Sequence, residues 1–262
     1  MSDQNLGTAL ITGASSGIGA TYADRLARRG YDLVLVARDQ ARMETIAAHL
    51  RDQTGVAIDI VPADLTDAAD LRTVEARLRQ DTRIGLLVNN AGAAGPGGFA
   101  DPDLDVQDRL IRLNITSVTR LAGAVVPRFL AAGSGAIINM ASVLAVAPEV
   151  IPGIYAATKA FVLNFSQSLQ AELGGRGLYV QAVLPSATRT EIWERSGRDI
   201  ATIPGVMDVG ELVDAALVGF DRREAITIPS LPDLGQWEAF SAARLAMLPN
   251  FRQIHAAVRY NA

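Results

Sequence analysis

The apolar and polar positions along the first 230 residues predict short buried strands that alternate with longer helices. Continuous apolar runs rich in β-formers predict strands at 8–12, 32–37, 56–61, 84–90, 136–142, 178–184 and, at the edge, 225–229. Helical periodicity predicts helices at about 17–29, 40–53, 67–80, 103–132 and 153–174. Because such strands are buried on both faces, the pattern predicts an α/β fold with a parallel, doubly wound sheet of about seven strands.

Two segments interrupt this alternation, namely 190–210 and the tail from 230 to 262. In doubly wound folds, ligands bind beyond the carboxyl ends of the strands. We therefore expect 190–210 to be a substrate loop over that crevice. No linker or internal repeat divides the sequence, so we expect 1–262 to form one domain with 230–262 as a C-terminal extension.

Composition and charge exclude several classes of protein. The 262 residues are 49% hydrophobic and 20% charged, with a net charge of −4, which gives no electrostatic case for nucleic acid or an anionic membrane. The N-terminus lacks a secretory signal, and the longest apolar stretch, around 136–148, is too short to span a bilayer. We expect a cytoplasmic protein. The absence of cysteine excludes disulfides, and His49 and His255 lack a second ligand at metal spacing.

The stretch T-G-A-S-S-G-I-G, residues 12–19, directly follows the first predicted strand. Gly13 permits a tight turn, Gly17 allows backbone amides to approach a pyrophosphate, and Gly19 allows the next helix to pack closely on the sheet. The amino terminus of that helix favours an anion. The loop therefore predicts a dinucleotide site rather than a merely structural turn. Its predicted binding residues are Gly13, Ser15, Ser16, Gly17, Ile18 and Gly19.

The end of the second strand indicates which dinucleotide binds. A carboxylate there bonds the adenosine ribose 2′-hydroxyl, whereas this chain has Ala37 followed by Arg38. A guanidinium pairs with a 2′-phosphate, so we expect NADP(H) in preference to NAD(H). Asp39 comes one position later and is equally suited to be the N-cap of the next helix.

Two further strand ends are candidates for cofactor contacts. Asp64, with Leu65 beside it, is placed to bond the adenine amino group, although a helix cap ahead of Asp67 explains the same spacing. After the fourth strand, the run N-N-A-G at 89–92 turns the chain beside the cofactor. We expect one of its two amides to brace the sheet through backbone bonds. The predicted cofactor contacts in this turn are Asn90, Ala91 and Gly92.

Tyr155 and Lys159 lie four residues apart in a predicted helix and therefore share one face. Ser142 lies thirteen residues before Tyr155, at the carboxyl end of the fifth strand. Both elements open into the crevice where the cofactor is expected. The alternative interpretation is a tyrosine at the core boundary beside a solvated lysine.

In this order and spacing, the glycine loop, the N-N-A-G turn, Ser142 and the run Y-A-A-T-K (155–159) resemble the short-chain dehydrogenase/reductase family, from residue 8 to about 228. The resemblance implies a Rossmann-type domain in which Tyr155 is the general acid/base, Ser142 bonds the substrate oxygen and Lys159 binds the nicotinamide ribose. It also implies that Asn114, in L-N-I-T-S, holds a water that connects Lys159 to solvent. Later runs resemble the ketoacyl and hydroxysteroid reductase branch, and the family implies a homodimer or homotetramer.

The resemblance departs from the family pattern after the sixth strand. The family has proline-glycine there, whereas this chain has Pro185-Ser186, and Ser186 narrows the space near the nicotinamide. Thr188 and Thr190 align with positions that hold the nicotinamide carboxamide and the phosphates. Helix capping ahead of 190–198 is the alternative role for these two threonines. The implied cofactor contacts are Pro185, Thr188 and Thr190, with Tyr155 and Lys159.

A free tyrosine has a pKa of about 10. To lose its proton at neutral pH, the phenol needs a pKa lower by about three units, which corresponds to roughly 4 kcal/mol. An ammonium about 4 Å away supplies an energy of that order at an effective dielectric of about 20. We therefore expect Lys159 to lower the pKa of Tyr155. A histidine is then not needed as the proton-transfer group.

The sequence thus predicts an NADP(H)-dependent oxidoreductase that interconverts a hydrophobic ketone or aldehyde and its alcohol. Apolar stretches at 93–99, 143–154 and 192–207 are the expected pocket walls and favour a small hydrophobic substrate. A regulatory protein that only senses NADP is one alternative, but binding alone does not need Ser142 or Tyr155. A sugar-nucleotide epimerase or dehydratase is another, but such enzymes carry a larger C-terminal substrate domain.

Overall fold

A computed structural model of the chain describes residues 6–95, 99–100, 102–197 and 199–260. Seven strands form one sheet in the order β3-β2-β1-β4-β5-β6-β7, and every neighbouring pair is parallel. The strands are Thr8–Thr12 (β1), Asp32–Ala37 (β2), Ile58–Pro62 (β3), Ile84–Asn89 (β4), Gly135–Met140 (β5), Leu178–Val183 (β6) and Ile226–Thr227 (β7). This sheet confirms the predicted Rossmann-type α/β fold.

Helices follow the strands and cover both faces of the sheet. In the described residues they are Gly17–Arg28 (α1), Gln40–Thr54 (α2), Ala68–Gln80 (α3), Leu104–Ile111 (α4), Ser117–Ala132 (α5), Ile154–Leu173 (α6), Ile192–Arg195 (α7), Val209–Asp221 (α8) and Leu234–Ala246 (α9). Helix α8 was not predicted, although its buried side chains Leu212, Val213, Ala216 and Leu217 follow helical spacing. It begins at the end of the irregular 190–210 segment, which concealed it.

Two apolar cores lie on the two faces of the sheet. In β1, Ile11 belongs to a cluster with Tyr22 of α1, while its neighbour Leu10 belongs to a second cluster with Phe129 of α5. Successive strand residues point to opposite faces, and all four of these side chains are essentially fully buried. This two-sided burial explains why the strands are continuous apolar runs rather than alternating ones.

The single helix expected over 103–132 is divided by a π-helical segment, Arg112–Thr116, between α4 and α5. A π segment inserts an extra residue into a turn and changes the direction of the side chains that follow. Asn114 lies inside this segment and is 1% exposed. The irregularity is therefore located at a residue of the candidate site.

Contacts divide the chain into two units, Met1–Pro229 and Ser230–Ala262. The first unit contains the sheet and helices α1 to α8. The second contains α9 and the 3-10 turns Leu248–Arg252 and Val258–Tyr260, and α9 has no buried residue. In the part of the chain that is described, no helix has the length and apolar character needed to cross a bilayer.

Candidate active site

A groove of about 1280 Å³ opens at the carboxyl ends of the central strands, next to the point between β1 and β4 where the strand order reverses. Most of the predicted site residues line it. They are Gly13, Ser15, Ser16, Gly17, Ile18, Arg38, Asp64, Leu65, Asn90, Ala91, Gly92, Ser142, Tyr155, Lys159, Pro185, Thr188 and Thr190. Gly19 and Asn114 are not among the described lining residues, and both lie behind the surface of the groove.

The glycine loop between β1 and α1 has the geometry of an anion cradle. Gly13 and Gly17 have φ values of +67° and +53°, which favour glycine. A Cβ on Gly19 would lie 2.2 Å from the carbonyl oxygen of Gly13, so only glycine lets α1 pack this closely. The N-cap Ser16 makes no side-chain cap, whereas Asp39 caps α2 and Asp67 caps α3. The uncapped amides of α1 at the groove therefore fit a pyrophosphate.

At the end of the groove beside β2 and β3, Arg38 presents a side chain that is 73% exposed, with the carboxylate of Asp64 3.9 Å away. The side chain of Asp39 accepts a bond from the backbone amide of Arg42 at 3.0 Å, which confirms its role as the N-cap of α2. Asp64 accepts bonds from the amide and hydroxyl of Thr66, at 2.9 and 2.7 Å. The carboxylate of Asp64 is thus held in a turn, and its role as a helix cap falls to Asp67.

Both asparagines at the end of β4 brace the sheet, Asn90 through a bond to the backbone, as was expected of one of them, and Asn89 through a bond to a side chain. The Asn90 amide donates to the carbonyl of Thr12 at 2.9 Å, and the Asn89 amide donates to Asn139 Oδ1 at 3.0 Å. The backbone amide of Ala91 donates to Thr12 Oγ1 at 3.0 Å. These bonds join the ends of β1, β4 and β5, and they fix the floor of the groove.

Ser142 follows β5, and Tyr155 and Lys159 occupy the first turns of α6, so strand end and helix start bring the three side chains together. Lys159 is 5% exposed, and its Nζ donates to the carbonyl of Met140 at 2.7 Å. The same nitrogen lies 5.7 Å from the centroid of the Tyr155 ring. Ser142 Oγ accepts a bond from the Leu144 amide at 3.2 Å and also interacts with the Tyr155 hydroxyl.

The expected lowering of the Tyr155 pKa is wrong for the protein without cofactor. Burial raises the pKa of Tyr155 to about 12, and its hydrogen bond with Ser142 offsets only part of that rise. Burial also lowers the pKa of Lys159 to about 8. Desolvation thus outweighs the attraction between phenolate and ammonium. At neutral pH the phenol keeps its proton and is suited to donate it.

Asn114 holds the segments around the site in place through direct hydrogen bonds. Its Oδ1 accepts from the Ala93 amide, and its Nδ2 donates to the Ala93 carbonyl and to Thr158 Oγ1, each at 3.0 Å. Thr158 in turn donates to the carbonyl of Tyr155 at 2.7 Å. The sequence analysis missed Thr158, although its position three residues after Tyr155 within Y-A-A-T-K was a usable signal.

The segment after β6 is tied at both ends. The Arg189 amide donates to the Met207 carbonyl at 2.9 Å, and the Met207 amide donates to the Ala187 carbonyl at 2.8 Å. The Trp193 indole donates to the Thr188 carbonyl at 2.7 Å, a contact that no sequence signal indicated. The N-cap of α7 is Glu191, with no side-chain cap, so neither Thr188 nor Thr190 caps that helix.

The walls of the groove away from the glycine loop are largely apolar. They include Phe99, Val143, Leu144, Val150, Ile151, Ile154, Ile192, Trp193, Ile203 and Pro204. All three predicted wall segments contribute, while residues 96–98 and 198 of those segments lie outside the described residues. Such a surface favours a hydrophobic ligand.

Comparison with known proteins gives a consistent result. The family model of short chain dehydrogenases matches residues 7–201. A short-chain dehydrogenase from Sphingobium yanoikuyae, solved with NADPH, is 60% identical with a TM-score of 0.96, over 98% of this chain and all of that one. A bulky-bulky ketone specific alcohol dehydrogenase from Comamonas testosteroni is 54% identical with a TM-score of 0.92, over 99% of this chain and 100% of its own.

The curated relatives match over a shorter region. A very-long-chain 3-oxoacyl-CoA reductase from Anas platyrhynchos is 36% identical over 188 residues, which is 70% of this chain. The match spans only 60% of the length of that relative.

Proposed function

The chain belongs to the short-chain dehydrogenase family, and from that premise we propose that it is an NADP(H)-dependent oxidoreductase that interconverts a hydrophobic ketone or aldehyde and its alcohol. The observation that carries this proposal is the meeting of Ser142, Tyr155 and Lys159 in the same groove as the glycine loop. The bound nicotinamide supplies or accepts the hydride. The protein supplies the proton, orients the substrate oxygen and provides the positive charge of Lys159.

Two observations support NADP(H) as the cofactor. Arg38 lines the groove at the end of β2 with an exposed guanidinium, and Asp39, the carboxylate that competes for this role, is committed to capping α2. The similar enzyme from Sphingobium yanoikuyae was solved with NADPH. The uncapped amides of α1 and the glycines at 13 and 17 fit the pyrophosphate.

The substrate class follows from the apolar walls. Side chains from 143–154 and 192–205 leave room for a large hydrophobic group on the carbonyl carbon. The similar protein from Comamonas testosteroni is described as specific for bulky-bulky ketones, which supports a ketone flanked by two large groups. The name of the curated relatives, 3-oxoacyl-CoA reductase, also denotes reduction of a carbonyl carried by a long chain.

In this mechanism Tyr155 donates its proton to the ketone oxygen as hydride reaches the carbon, and it takes the proton back in the reverse direction. Ser142 bonds the same oxygen and orients it. The ammonium of Lys159, buried one turn away, stabilises the phenolate that forms. Asn114 positions this set through Ala93 and Thr158. The water that the family resemblance places between Asn114 and Lys159 stays a prediction.

No observation favours a purely regulatory NADP-binding protein or a sugar-nucleotide epimerase. The homodimer or homotetramer and the cytoplasmic location inferred from the sequence stay predictions. So does the role of 190–210 as a substrate loop, which the apolar lining by Ile192, Trp193 and Ile203 supports.

Replacing Tyr155 by phenylalanine tests the proposal. Wild type is expected to oxidise NADPH in the presence of a bulky hydrophobic ketone, and Tyr155→Phe is expected to lose about 10²–10⁴-fold in kcat while still binding NADPH. Tyr22→Phe is the matched control, because Tyr22 is buried in the core outside the groove. Undiminished turnover by Tyr155→Phe would remove the proposed acid.

A further inference from the structure

Gln107 on α4 is a polar residue in an otherwise apolar part of the groove. It is 8% exposed, it lines the groove, and its Oε1 is buried without a hydrogen-bond partner among the described residues. The neighbouring lining residues Gly95, Phe99 and Leu113 offer no polar side chain. A buried acceptor of this kind costs about 1–3 kcal/mol unless a donor reaches it.

Four other described side chains also have a buried oxygen without a partner, namely Thr8, Tyr22, Asn89 and Gln181. None of these four lines the groove, whereas Gln107 does. Among these five side chains, that of Gln107 is therefore the one that borders the groove. Sequence analysis did not select this residue, because a glutamine in a charged helix has no distinctive signal.

The position of Gln107 separates it from the reacting groups. It lies on α4, seven residues before Asn114, which belongs to the π segment Arg112–Thr116 that follows α4. Asn114 is bonded to Ala93 and Thr158 beside the catalytic set. Gln107 Oε1 takes no part in these bonds, and we assign it to the part of a substrate that is remote from its carbonyl.

We propose that Gln107 forms a polar subsite that binds a hydroxyl group carried by the substrate away from the reacting carbonyl. A hydroxyl group is suited to this position because it donates to Oε1 and accepts from Nε2 at the same time. A carboxylate presents only acceptors, and Asp105 and Asp108 on the same helix add like charge. This inference rests on the proposed function and assigns a substrate class, hydrophobic ketones that bear a hydroxyl group.

The test uses pairs of ketones that differ only in a terminal hydroxyl or methyl group, over a series of spacer lengths. We expect wild type to prefer the hydroxyl member of at least one pair by about tenfold in kcat/KM, mostly through KM. Gln107→Met, which keeps the length of the side chain, is expected to abolish that preference. Gln80→Met, an equivalent change at the exposed end of α3, is expected to retain it.

A structural role for Gln107 gives different results. If Gln107→Met lowers kcat/KM equally for both members of a pair, or if wild type shows no preference at any spacer length, the subsite is refuted. Because the oxygen has no partner among the described residues, the melting temperature of Gln107→Met is expected to be unchanged or raised, and a clear fall would also refute the proposal.

Failure of the proposed function is recognised separately. If wild type reduces neither member of any pair, the oxidoreductase proposal is wrong. Calorimetric binding of the hydroxyl ketones to wild type and Gln107→Met then decides the subsite. Tighter binding of the hydroxyl member to wild type, lost in Gln107→Met, supports it, and equal binding refutes it.

Discussion

Arg38→Ala is expected to weaken NADPH binding without affecting NADH binding. The guanidinium of Arg38 is 73% exposed, and its partner Asp64 lies 3.9 Å away, at the limit of an ion pair. A phosphate therefore has only a weak existing interaction to displace. NADH lacks the 2′-phosphate, so removal of the guanidinium costs it nothing.

The magnitude follows from the exposure of the side chain. A hydrogen bond to a charged group contributes about 1.5–3 kcal/mol. Solvent and salt screen an exposed pair, so the lower end applies, about 1–2 kcal/mol. We expect the dissociation constant for NADPH to rise about 5–30-fold in Arg38→Ala. The difference between wild type and variant is expected to shrink as salt is added.

Fluorescence titration of NADPH and NADH against each variant measures both constants. Arg176→Ala is a matched control, because Arg176 is exposed and lies two residues before β6, at the amino edge of the sheet away from the groove. Arg38→Asp extends the series, since a carboxylate there repels the phosphate and accepts from the ribose 2′-hydroxyl of NADH. If Arg38→Ala changes both cofactors equally, or neither, Arg38 does not select the cofactor.

Two further predictions concern buried hydroxyl and amino groups. Ketone reduction needs the neutral phenol of Tyr155 and the charged ammonium of Lys159. Its kcat/KM is therefore expected to be level up to about pH 8 and to fall above that pH as Lys159 loses its proton, whereas the rate of alcohol oxidation is expected to rise with pH. A reduction rate that rises with pH would contradict this assignment. The buried hydroxyl of Tyr22 has no partner in the described residues, so Tyr22→Phe is expected to gain about 1 kcal/mol and raise the melting temperature by about 2 °C. Tyr179→Phe loses a 2.9 Å bond to the Glu224 carbonyl and is expected to lower the melting temperature. A calorimetric melting temperature that is higher for Tyr179→Phe than for Tyr22→Phe refutes the argument.

The strands and the glycine loop were predictable because each has a local cause. The run at 178–184 is apolar except for Gln181, and the observed strand, Leu178–Val183, is buried throughout. Gly13 and Gly17 occur where the backbone takes positive φ. Side chains that bond to backbone a few residues away, such as Asp39 capping α2, were also predictable from the sequence.

The contacts that were not predictable depend on irregular backbone or on the assembled fold. Asn114 reaches Ala93 only because a π segment at Arg112–Thr116 changes its direction, and periodicity over 103–132 indicated one regular helix. The Trp193 bond to Thr188 depends on how the 190–210 segment folds back on itself. The unpaired oxygen of Gln107 becomes visible only when every neighbour has been placed.

The protonation of the site also depends on burial, which sequence spacing does not reveal. Spacing placed Lys159 near Tyr155 and suggested an acidified phenol, but enclosure by the groove raises the pKa of Tyr155 to about 12. Because the same enclosure leaves Lys159 with a pKa of about 8, phenol and ammonium both hold their protons at neutral pH. The proton that ketone reduction consumes is therefore already in place, whereas alcohol oxidation must first remove it.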